Sequence, residues 1–253
     1  MNIVIIPVHN QLPLLKKCLF SVLDKTPNVK IVLVNDASDK YTTKWIAESG
    51  FDFVHLKKNV GYSWACNAGL SYCLQYSSDI VCLLNSDTEV MTDDWFEKVR
   101  IQMNKFKNTA IAGVLSNEAG HQSVVCTPQT IDNFVGNVEN VLIHGFCLFL
   151  KMDCMYKVGW FDVENFPHYG SEDDLCIRSA KARFKNIIVT NVYVKHHKSA
   201  SYTPEQRLKI LAKSCPKLSE IHTSKLVRSL CIRSAKCLDL LRIKIKRFEA
   251  NWR

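Results

Sequence analysis

The segment IVCLLNSD, residues 80–87, is a run of five apolar residues followed at once by an amide, a hydroxyl and a carboxylate. A short continuous apolar run is typical of a strand that is buried on both faces, as in a parallel sheet covered by helices. In open α/β sheets, ligands bind outside the carboxyl ends of the strands. The segment therefore predicts an α/β fold and places its own polar end where a ligand binds.

The same alternation of strand and helix patterns extends over residues 1–115. Such a rhythm is typical of βαβ units and a parallel sheet. After a less regular stretch, two more apolar runs flank a helix that is predicted to start near Glu172. We predict a mostly parallel central sheet flanked by helices, with strands at 3–6, 31–34, 53–56, 80–84, 110–114, 146–150 and 187–189, and helices at 12–23, 42–49, 62–76 and 94–106.

The charge divides the chain into a body and a tail. Residues 206–253 hold 13 Lys or Arg and three acids, a net charge of +10, whereas the whole chain carries +9, so residues 1–205 carry −1. We predict one domain over 1–205, with halves 1–115 and 116–205, and a basic helical extension over 206–253. In the extension, apolar residues recur at helical spacing and basic residues occupy the other faces of the predicted helix. Pro216 is expected to break the helical segment.

Composition narrows the class of protein. A chain of 253 residues with 47% hydrophobic residues can bury a sizeable core, which excludes global disorder. No apolar run approaches 18 residues, so we expect a soluble protein that at most rests on a membrane surface. Eleven cysteines without metal-type spacing fit a reducing compartment. We therefore expect a cytoplasmic location, with peripheral contact at the inner membrane surface as an option.

Acidic residues and a histidine pair are the candidate chemical groups. Asp36 and Asp87 each follow a predicted strand, and a carboxylate there suits a nucleotide or a divalent ion, although each could instead form a turn or a helix cap. Glu172-Asp173-Asp174 stands at a helix start, where the macrodipole stabilises acids and where a carboxylate could act as a general base. His196-His197 could complete a metal shell or be an ordinary surface pair.

Residues 59–69, NVGYSWACNAG, open a predicted helix with Gly61 at its start. Neither G-x-G-x-x-G nor G-x-x-x-x-G-K-[ST] occurs in the chain, so the dinucleotide-binding and P-loop classes lack their key residues. Gly69 within the helix indicates a close approach, either of the sheet beneath it or of a ligand.

Taken in order, these motifs resemble the family-2 glycosyltransferases of the GT-A fold over roughly residues 2–202. Asn85-Ser86-Asp87 stands at the place of the family's D-x-D motif, with Asn85 replacing the first acid. Residues 59–69 resemble the family's donor segment, and they are called the donor segment below. The resemblance implies that the nucleotide-sugar donor contacts this segment, the end of the first strand, and the residues that follow two other strands: Pro7, His9, Asn10, Asp36, Asn59, Gly61, Asn67 and Ser86.

The resemblance also implies a catalytic group and a metal site. The E-D pair Glu172-Asp173 resembles the family's catalytic motif, with Asp173 as the base, and Asp87 with His196 would hold Mn²⁺ or Mg²⁺. His196-x-x-Ser199-x-Ser201 resembles the family's C-terminal histidine motif. The implied reaction is inverting transfer of a sugar from a UDP- or dTDP-linked donor to a hydroxyl of a glycan or glycoconjugate, with rhamnosyltransferase-type members as the most similar subtype.

Two other classes remain open from the sequence. A nucleotidyltransferase would also use an α/β sheet and a metal, but Pro7-Val8-His9-Asn10-Gln11 offers neither glycine nor lysine to hold a triphosphate. A non-catalytic protein could use the basic tail; no nucleic-acid reading motif is present, so we expect residues 223–253 to contact a membrane or a protein partner, or to pack on the body.

Overall fold

The computed structural model describes residues 1–106, 108–139, 141–197, 204–222 and 224–251. The strands in this part of the chain are β1 (Asn2–Val8), β2 (Val29–Asp36), β3 (Asp52–Leu56), β4 (Ile80–Leu84), β5 (Thr88–Val90), β6 (Thr109–Leu115), β7 (Asn137–Glu139), β8 (Cys147–Lys151) and β9 (Lys185–His196). The helices are α1 (Leu12–Lys25), α2 (Lys40–Glu48), α3 (Tyr62–Cys73), α4 (Trp95–Lys105), α5 (Pro128–Asp132), α6 (Met152–Val158), α7 (Ser171–Lys181), α8 (Pro204–Ile221) and α9 (Ser224–Asn251), with a 3₁₀ turn at Gly120–Gln122.

One sheet runs through the molecule in the order β3-β2-β1-β4-β8-β6-β9-β5, and β7 also pairs with β9. Strands β1, β2, β3 and β4 are mutually parallel, and β6 is parallel to β9. Strand β8 lies antiparallel between β4 and β6, so these two neighbours point the same way. The predicted α/β fold with a mostly parallel sheet is therefore confirmed.

Helices cover both faces of the sheet, which explains the continuous apolar runs. Successive residues of a strand point to opposite faces. Ile3 and Ile5 of β1 pack with α3 and α7, whereas Val4 and Ile6 pack with α1 and α4. All five residues of β4 are buried. Gly69 lies where α3 crosses this sheet, and an added Cβ would come within 2.4 Å of Ile5 Cγ2, so close helix packing explains this glycine.

The sequence missed the short elements. Strand β5 lies between the predicted strand at 80–84 and the predicted helix at 94–106, where no element was predicted, and α5, α6 and β7 were not predicted either. Elements of three to seven residues carry too few positions to display a period. The expected interruption at Pro216 is wrong, since α8 continues through it. A proline removes one backbone hydrogen bond, and packing can hold a helix together despite that loss.

The C-terminal extension is helical and docks on the body. Among the α9 residues whose burial is described, the buried ones are Leu230, Ser234, Leu238, Leu241 and Ile245, and the apolar ones join the core on the α3 and α7 side of the sheet. The backbone N–H of Leu142 donates to Ser234 Oγ at 2.9 Å. Among the described helices, none is both long and apolar enough to cross a bilayer.

Candidate active site

A cleft of about 790 Å³ opens at the carboxyl ends of β1, β2 and β4. It is the position that the topology of an open α/β sheet favours for a ligand. Most of the residues predicted for the site line this cleft: Pro7, His9, Asp36, Asn59, Gly61, Ser86, Asp87, Glu172 and His196. Asn10, Asn67 and Asp173 do not belong to its lining.

Asp87 and His196 are brought together by strand pairing. Strand β5 pairs antiparallel with the end of β9, so that Thr88 lies opposite His196. The backbone N–H of His197 donates to the carbonyl of Asp87 at 2.9 Å. Nε2 of His196 lies 3.3 Å from Oδ1 of Asp87, with side chains only 15% and 17% exposed. The pairing of the unpredicted strand β5 with β9 therefore places the two predicted metal ligands side by side.

Hydrogen bonding defines the tautomer of His196. Nδ1 lies 3.0 Å from the carbonyl of Glu118, which can only accept, so Nδ1 carries a proton. In the neutral ring, the lone pair of Nε2 therefore faces a carboxylate oxygen of Asp87. Two acceptors meet in this way where they share a proton or a metal ion. The ring stacks on Phe146 with an interplanar angle of 19°, which fixes its orientation.

The chemistry of the Asp87–His196 pair is compatible with a divalent ion that also takes oxygen ligands from a bound phosphate group. Mg²⁺ is usually held by one or two carboxylates together with substrate phosphate oxygens and water, and imidazole is a common transition-metal ligand. Within the described residues, no group of three or more His, Cys, Asp or Glu side chains could hold a metal alone. A site made of Asp87 and His196 therefore needs oxygens from a bound ligand to complete it.

Asp36 joins the end of β2 to the start of α3. Its Oδ1 accepts from the N–H of Val60 at 2.8 Å and its Oδ2 from the N–H of Gly61 at 3.0 Å. The residue is only 4% exposed, yet it lines the cleft. A carboxylate has about four acceptor sites, so both oxygens keep capacity for a ligand. Asp36 thus shapes the donor segment as well as facing the cleft.

Gly61 is required by its conformation and its neighbours. Its φ is +88°, and an added Cβ would lie 2.5 Å from the ring of His168 and 2.8 Å from the carbonyl of Pro167. The following helix is tied to the same loop, because Ser63 Oγ donates to the carbonyl of Phe166 at 2.6 Å. A side chain at position 61 would push apart two walls of the cleft.

Asn10 and Asn67 act as braces beside the cleft. The backbone N–H of Asn10 donates to Ser38 Oγ, and its Oδ1 accepts from the N–H of Asp39, which holds the loops after β1 and β2 together. Asn67 exchanges two hydrogen bonds with the backbone of Phe161, at 2.9 and 3.1 Å. Both side chains therefore support the walls in the structure, whereas the resemblance predicted that they contact the donor.

The three acids at the start of α7 point in three directions, since successive helical residues are about 100° apart. Glu172 lines the cleft. Asp174 is buried and bonds Arg178 and His222. Asp173 is not among the lining residues, and its charge raises the pKa values of the thiols of Cys176 and of Cys231 in α9. The structure thus places Glu172 at the cleft, where the sequence favoured its neighbour Asp173.

Burial raises the pKa values of both carboxyls. The pKa of Glu172 is raised by burial, against hydrogen bonds from the backbone, from Ser171 and from Gly145 that favour the charged form. The pKa of Asp173 is raised to about 7 by burial and then by the charges of Glu172 and Asp174. A raised pKa is typical of a carboxyl that exchanges protons near neutral pH, and it is also found in structural clusters of acids.

Sequence reasoning missed a histidine pair at the cleft. His121 Nε2 lies 2.7 Å from the carbonyl of Leu142, and its Nδ1 lies 3.1 Å from Nε2 of His144. The carbonyl fixes the proton of His121 on Nε2, so His144 donates through Nε2, and Nδ1 of a neutral His144 is an acceptor. Burial lowers the pKa of His144 to about 4, with further lowering by His121 and His196, which keeps it neutral.

Other lining residues were also absent from the predicted set, among them Tyr62, Glu118, His144, His168 and Tyr169. Glu118, His144, His168 and Tyr169 stand in irregular segments. Tyr62, at the start of α3, donates to the carbonyl of Gly145 at 2.6 Å and so joins two walls of the cleft. Ser199 and Ser201 of the predicted histidine motif lie outside the described residues.

The part of the chain that forms much of the cleft is similar to a known protein family. Residues 3–123 match the family model described as Glycosyl transferase family 2. The matched segment is just under half of the chain, and it contains Asp36, Gly61 and Asp87.

The fold is shared with solved glycosyltransferase structures. The mannosyltransferase PcManGT from Pyrobaculum calidifontis, in complex with GDP-Man and Mn²⁺, is similar with a TM-score of 0.66 and 17% identity over 96% of this chain and 71% of that one. GalNAc-T7 with UDP, GalNAc and Mn²⁺ has a TM-score of 0.62 and 15% identity, over 84% of this chain and 47% of that one. TarS of S. aureus in complex with UDP-GlcNAc has a TM-score of 0.58 and 13% identity, over 90% and 71%. The chain has the GT-A fold.

Two curated protein sequences are similar to this chain over part of their length. The low-salt glycan biosynthesis hexosyltransferase Agl10 of Haloferax volcanii is 25% identical over 171 residues, which is 62% of this chain and 54% of that protein. The uncharacterized protein y4gI of Sinorhizobium fredii is 23% identical over 235 residues, which is 81% of this chain and 26% of that protein. The chain thus spans about a quarter to a half of the curated relatives that it matches.

Proposed function

We propose that this chain is an inverting, metal-assisted glycosyltransferase that moves a sugar from a nucleoside diphosphate donor to a hydroxyl of a glycan or glycoconjugate. One observation carries the proposal: a single cleft is lined by the donor segment around Gly61, by the Asp87–His196 pair and by Glu172. These are the three parts that such a transfer needs, namely a nucleotide wall, an anchor for the diphosphate and a base.

The donor would lie between Asp36 and Asp87. Asp36 and the loop of Gly61 close the nucleotide end, and the Asp87–His196 pair stands where the diphosphate must pass. A divalent ion bound there supplies Lewis-acid stabilisation of the charge on the departing diphosphate. Solved structures of the same fold contain GDP-Man, UDP or UDP-GlcNAc, so these nucleotides join UDP- and dTDP-sugars as candidates.

Glu172 is the base that the geometry favours. In an inverting transfer the acceptor oxygen attacks the anomeric carbon from the face opposite the leaving diphosphate, while a carboxylate takes its proton. Glu172 faces the cleft, and the hydrogen bonds from Ser171 and Gly145 keep its carboxylate in place. Asp173, the base implied by the resemblance, does not line the cleft, and the charge of Glu172 contributes to its raised pKa.

Donor hydrolysis across a panel of UDP-, dTDP- and GDP-sugars, including dTDP-rhamnose, tests the proposal. We expect Mn²⁺-dependent release of one nucleoside diphosphate, and its loss in Asp87→Ala. Asp93→Ala is a matched control, because Asp93 follows β5, is 78% exposed, pairs with Lys25 and does not line the cleft. Release that is equal with and without metal, or equal in wild type and Asp87→Ala, would contradict the metal role. Pyrophosphate formed from a nucleoside triphosphate and a sugar phosphate would indicate nucleotidyl transfer instead.

A further inference from the structure

Helix α9 has one face that is occupied and one that is not. Its buried residues recur every three or four positions from Leu230 to Ile245 and pack on the body. Such spacing covers one side of a helix. The opposite side of this 28-residue helix is therefore presented to solvent in the described part of the molecule.

The outer side of α9 mixes basic and large aliphatic residues. Ile232, Leu240 and Ile243 are 45%, 63% and 47% exposed. At helical spacing from Ile232, the exposed residues Lys225, Arg228 and Lys236 belong to the same stripe. The exposed basic side chains of the helix are Lys225, Arg228, Arg233, Lys236, Lys244, Lys246 and Arg247. The acid Asp239 is paired with Arg242 at 2.9 Å, which offsets its charge.

We propose that this outer face of α9, centred on Ile232, Lys236 and Ile243, docks on the anionic surface of a lipid bilayer. A helix with basic residues around an aliphatic strip lies in the headgroup region, where the aliphatic side chains enter the acyl boundary and the cations meet lipid phosphates. Long lysine and arginine stems also cover apolar surface while their charges stay in water.

The aliphatic residues favour a bilayer over a nucleic acid or an acidic protein. Protein surfaces that bind nucleic acids combine basic residues with aromatic or hydrogen-bonding side chains. The three exposed aliphatic residues would make no favourable contact with a nucleic acid. An acidic protein surface would be held mainly by charge and would be released by salt. A bilayer uses both components of the face at once.

Cosedimentation of the full chain with vesicles tests the proposal. We expect binding to vesicles of equal parts phosphatidylcholine and phosphatidylglycerol, and at least tenfold weaker binding to phosphatidylcholine alone. The double variant Ile232→Ser/Ile243→Ser should bind the anionic vesicles about tenfold more weakly with the same net charge. Arg228→Glu/Lys236→Glu should lose binding. Lys16→Glu/Lys17→Glu, on the exposed face of α1, is the charge-matched control and should bind like the wild type.

Three results would overturn the proposal: equal binding to both kinds of vesicle, an unchanged affinity of the serine variant, or equal loss in the α1 control. Loss through charge alone, with heparin bound as tightly as the vesicles, would assign the face to a polyanionic partner. Because all four α9 and α1 positions chosen for charge reversal are exposed, circular dichroism of each variant should match the wild type. The assay needs no sugar donor, so its outcome is independent of the proposed transferase activity.

Discussion

Nε2 of His222 lies 2.8 Å from Oδ1 of Asp174, and their side chains are only 2% and 1% exposed. His222 stands between α8 and α9, whereas Asp174 belongs to α7, the helix that carries Glu172. Lys181 donates to the other ring nitrogen at 2.7 Å, and Arg178 binds the second carboxylate oxygen. A buried polar cluster therefore fastens the C-terminal extension to the helix beneath the cleft.

Replacing His222 by Ala should destabilise the protein by about 2–4 kcal/mol, because it leaves a buried carboxylate with one fewer partner and a cavity beside it. Urea unfolding monitored by fluorescence would measure the loss. Lys217→Ala, close in sequence and with a side chain that is 44% exposed, is the control and should change stability by less than about 0.5 kcal/mol. Equal effects of the two changes would remove His222 from the fastening of α9.

Glu172→Gln should lower the transfer rate by about 10²–10⁴-fold, since it removes the carboxylate that faces the cleft and preserves its size. Asp173→Asn should have a smaller effect on rate because Asp173 does not line the cleft. Steady-state rates with the donor selected from the panel, and donor affinity by calorimetry, would separate catalysis from binding. A larger loss in Asp173→Asn than in Glu172→Gln would return the role of base to Asp173.

The pH dependence of stability should respond to Asp173. Its pKa of about 7 in the folded protein lies above the ordinary value of 3.8, so between these values the unfolded chain releases the proton while the folded chain keeps it. Stability therefore falls as pH rises through this window and is constant above it. Because the side chain is partly exposed, we expect a loss of about 1–3 kcal/mol.

Asp173→Asn removes this titration, so its advantage over the wild type should grow from pH 4 to pH 8. Chemical unfolding at both pH values would measure it. If the difference in unfolding free energy between variant and wild type is the same at the two pH values, Asp173 has the same pKa in the folded and unfolded states. Asp153→Asn, at an exposed position in the first turn of α6, provides the matched control.

The His121–His144 pair predicts a hydrogen-bond acceptor at the cleft. His144→Phe keeps a ring but removes that acceptor, and should lower kcat/KM by about tenfold, the effect of one hydrogen bond. His121→Phe should act in the same direction, since the proton of His144 would no longer be fixed on Nε2. His55→Phe, at an exposed position outside the cleft, is the comparison. Unaltered kcat/KM in both cleft variants would show that Nδ1 of His144 meets no substrate.

The long elements and the positions of Asp36 and Asp87 at strand ends could be predicted because their signals are local. The apolar runs of β1, β2 and β4 identify buried strands, and Asp36 and Asp87 follow them directly. His196 was named from a resemblance, and only the pairing of β5 with β9 explains why it reaches Asp87. Which of Glu172 and Asp173 faces the cleft depends on the rotation of α7 about its axis relative to the neighbouring elements. A run of three consecutive acids does not indicate that rotation. His121 and His144 lie in a short turn and in irregular backbone, where the sequence has no helical or strand periodicity from which their contact could be predicted.

The pairing of Asp87 with His196 joins the middle of the chain to the end of β9. An ion shared by the two side chains would act as a removable cross-link between the segments of β5 and β9, since it closes a long loop only while it is bound. Ligands that bind the folded form alone stabilise it in proportion to their occupancy. The resistance of the end of β9 to proteolysis would then rise with the concentrations of metal and nucleotide. The protein would be most ordered in its ligand-bound form.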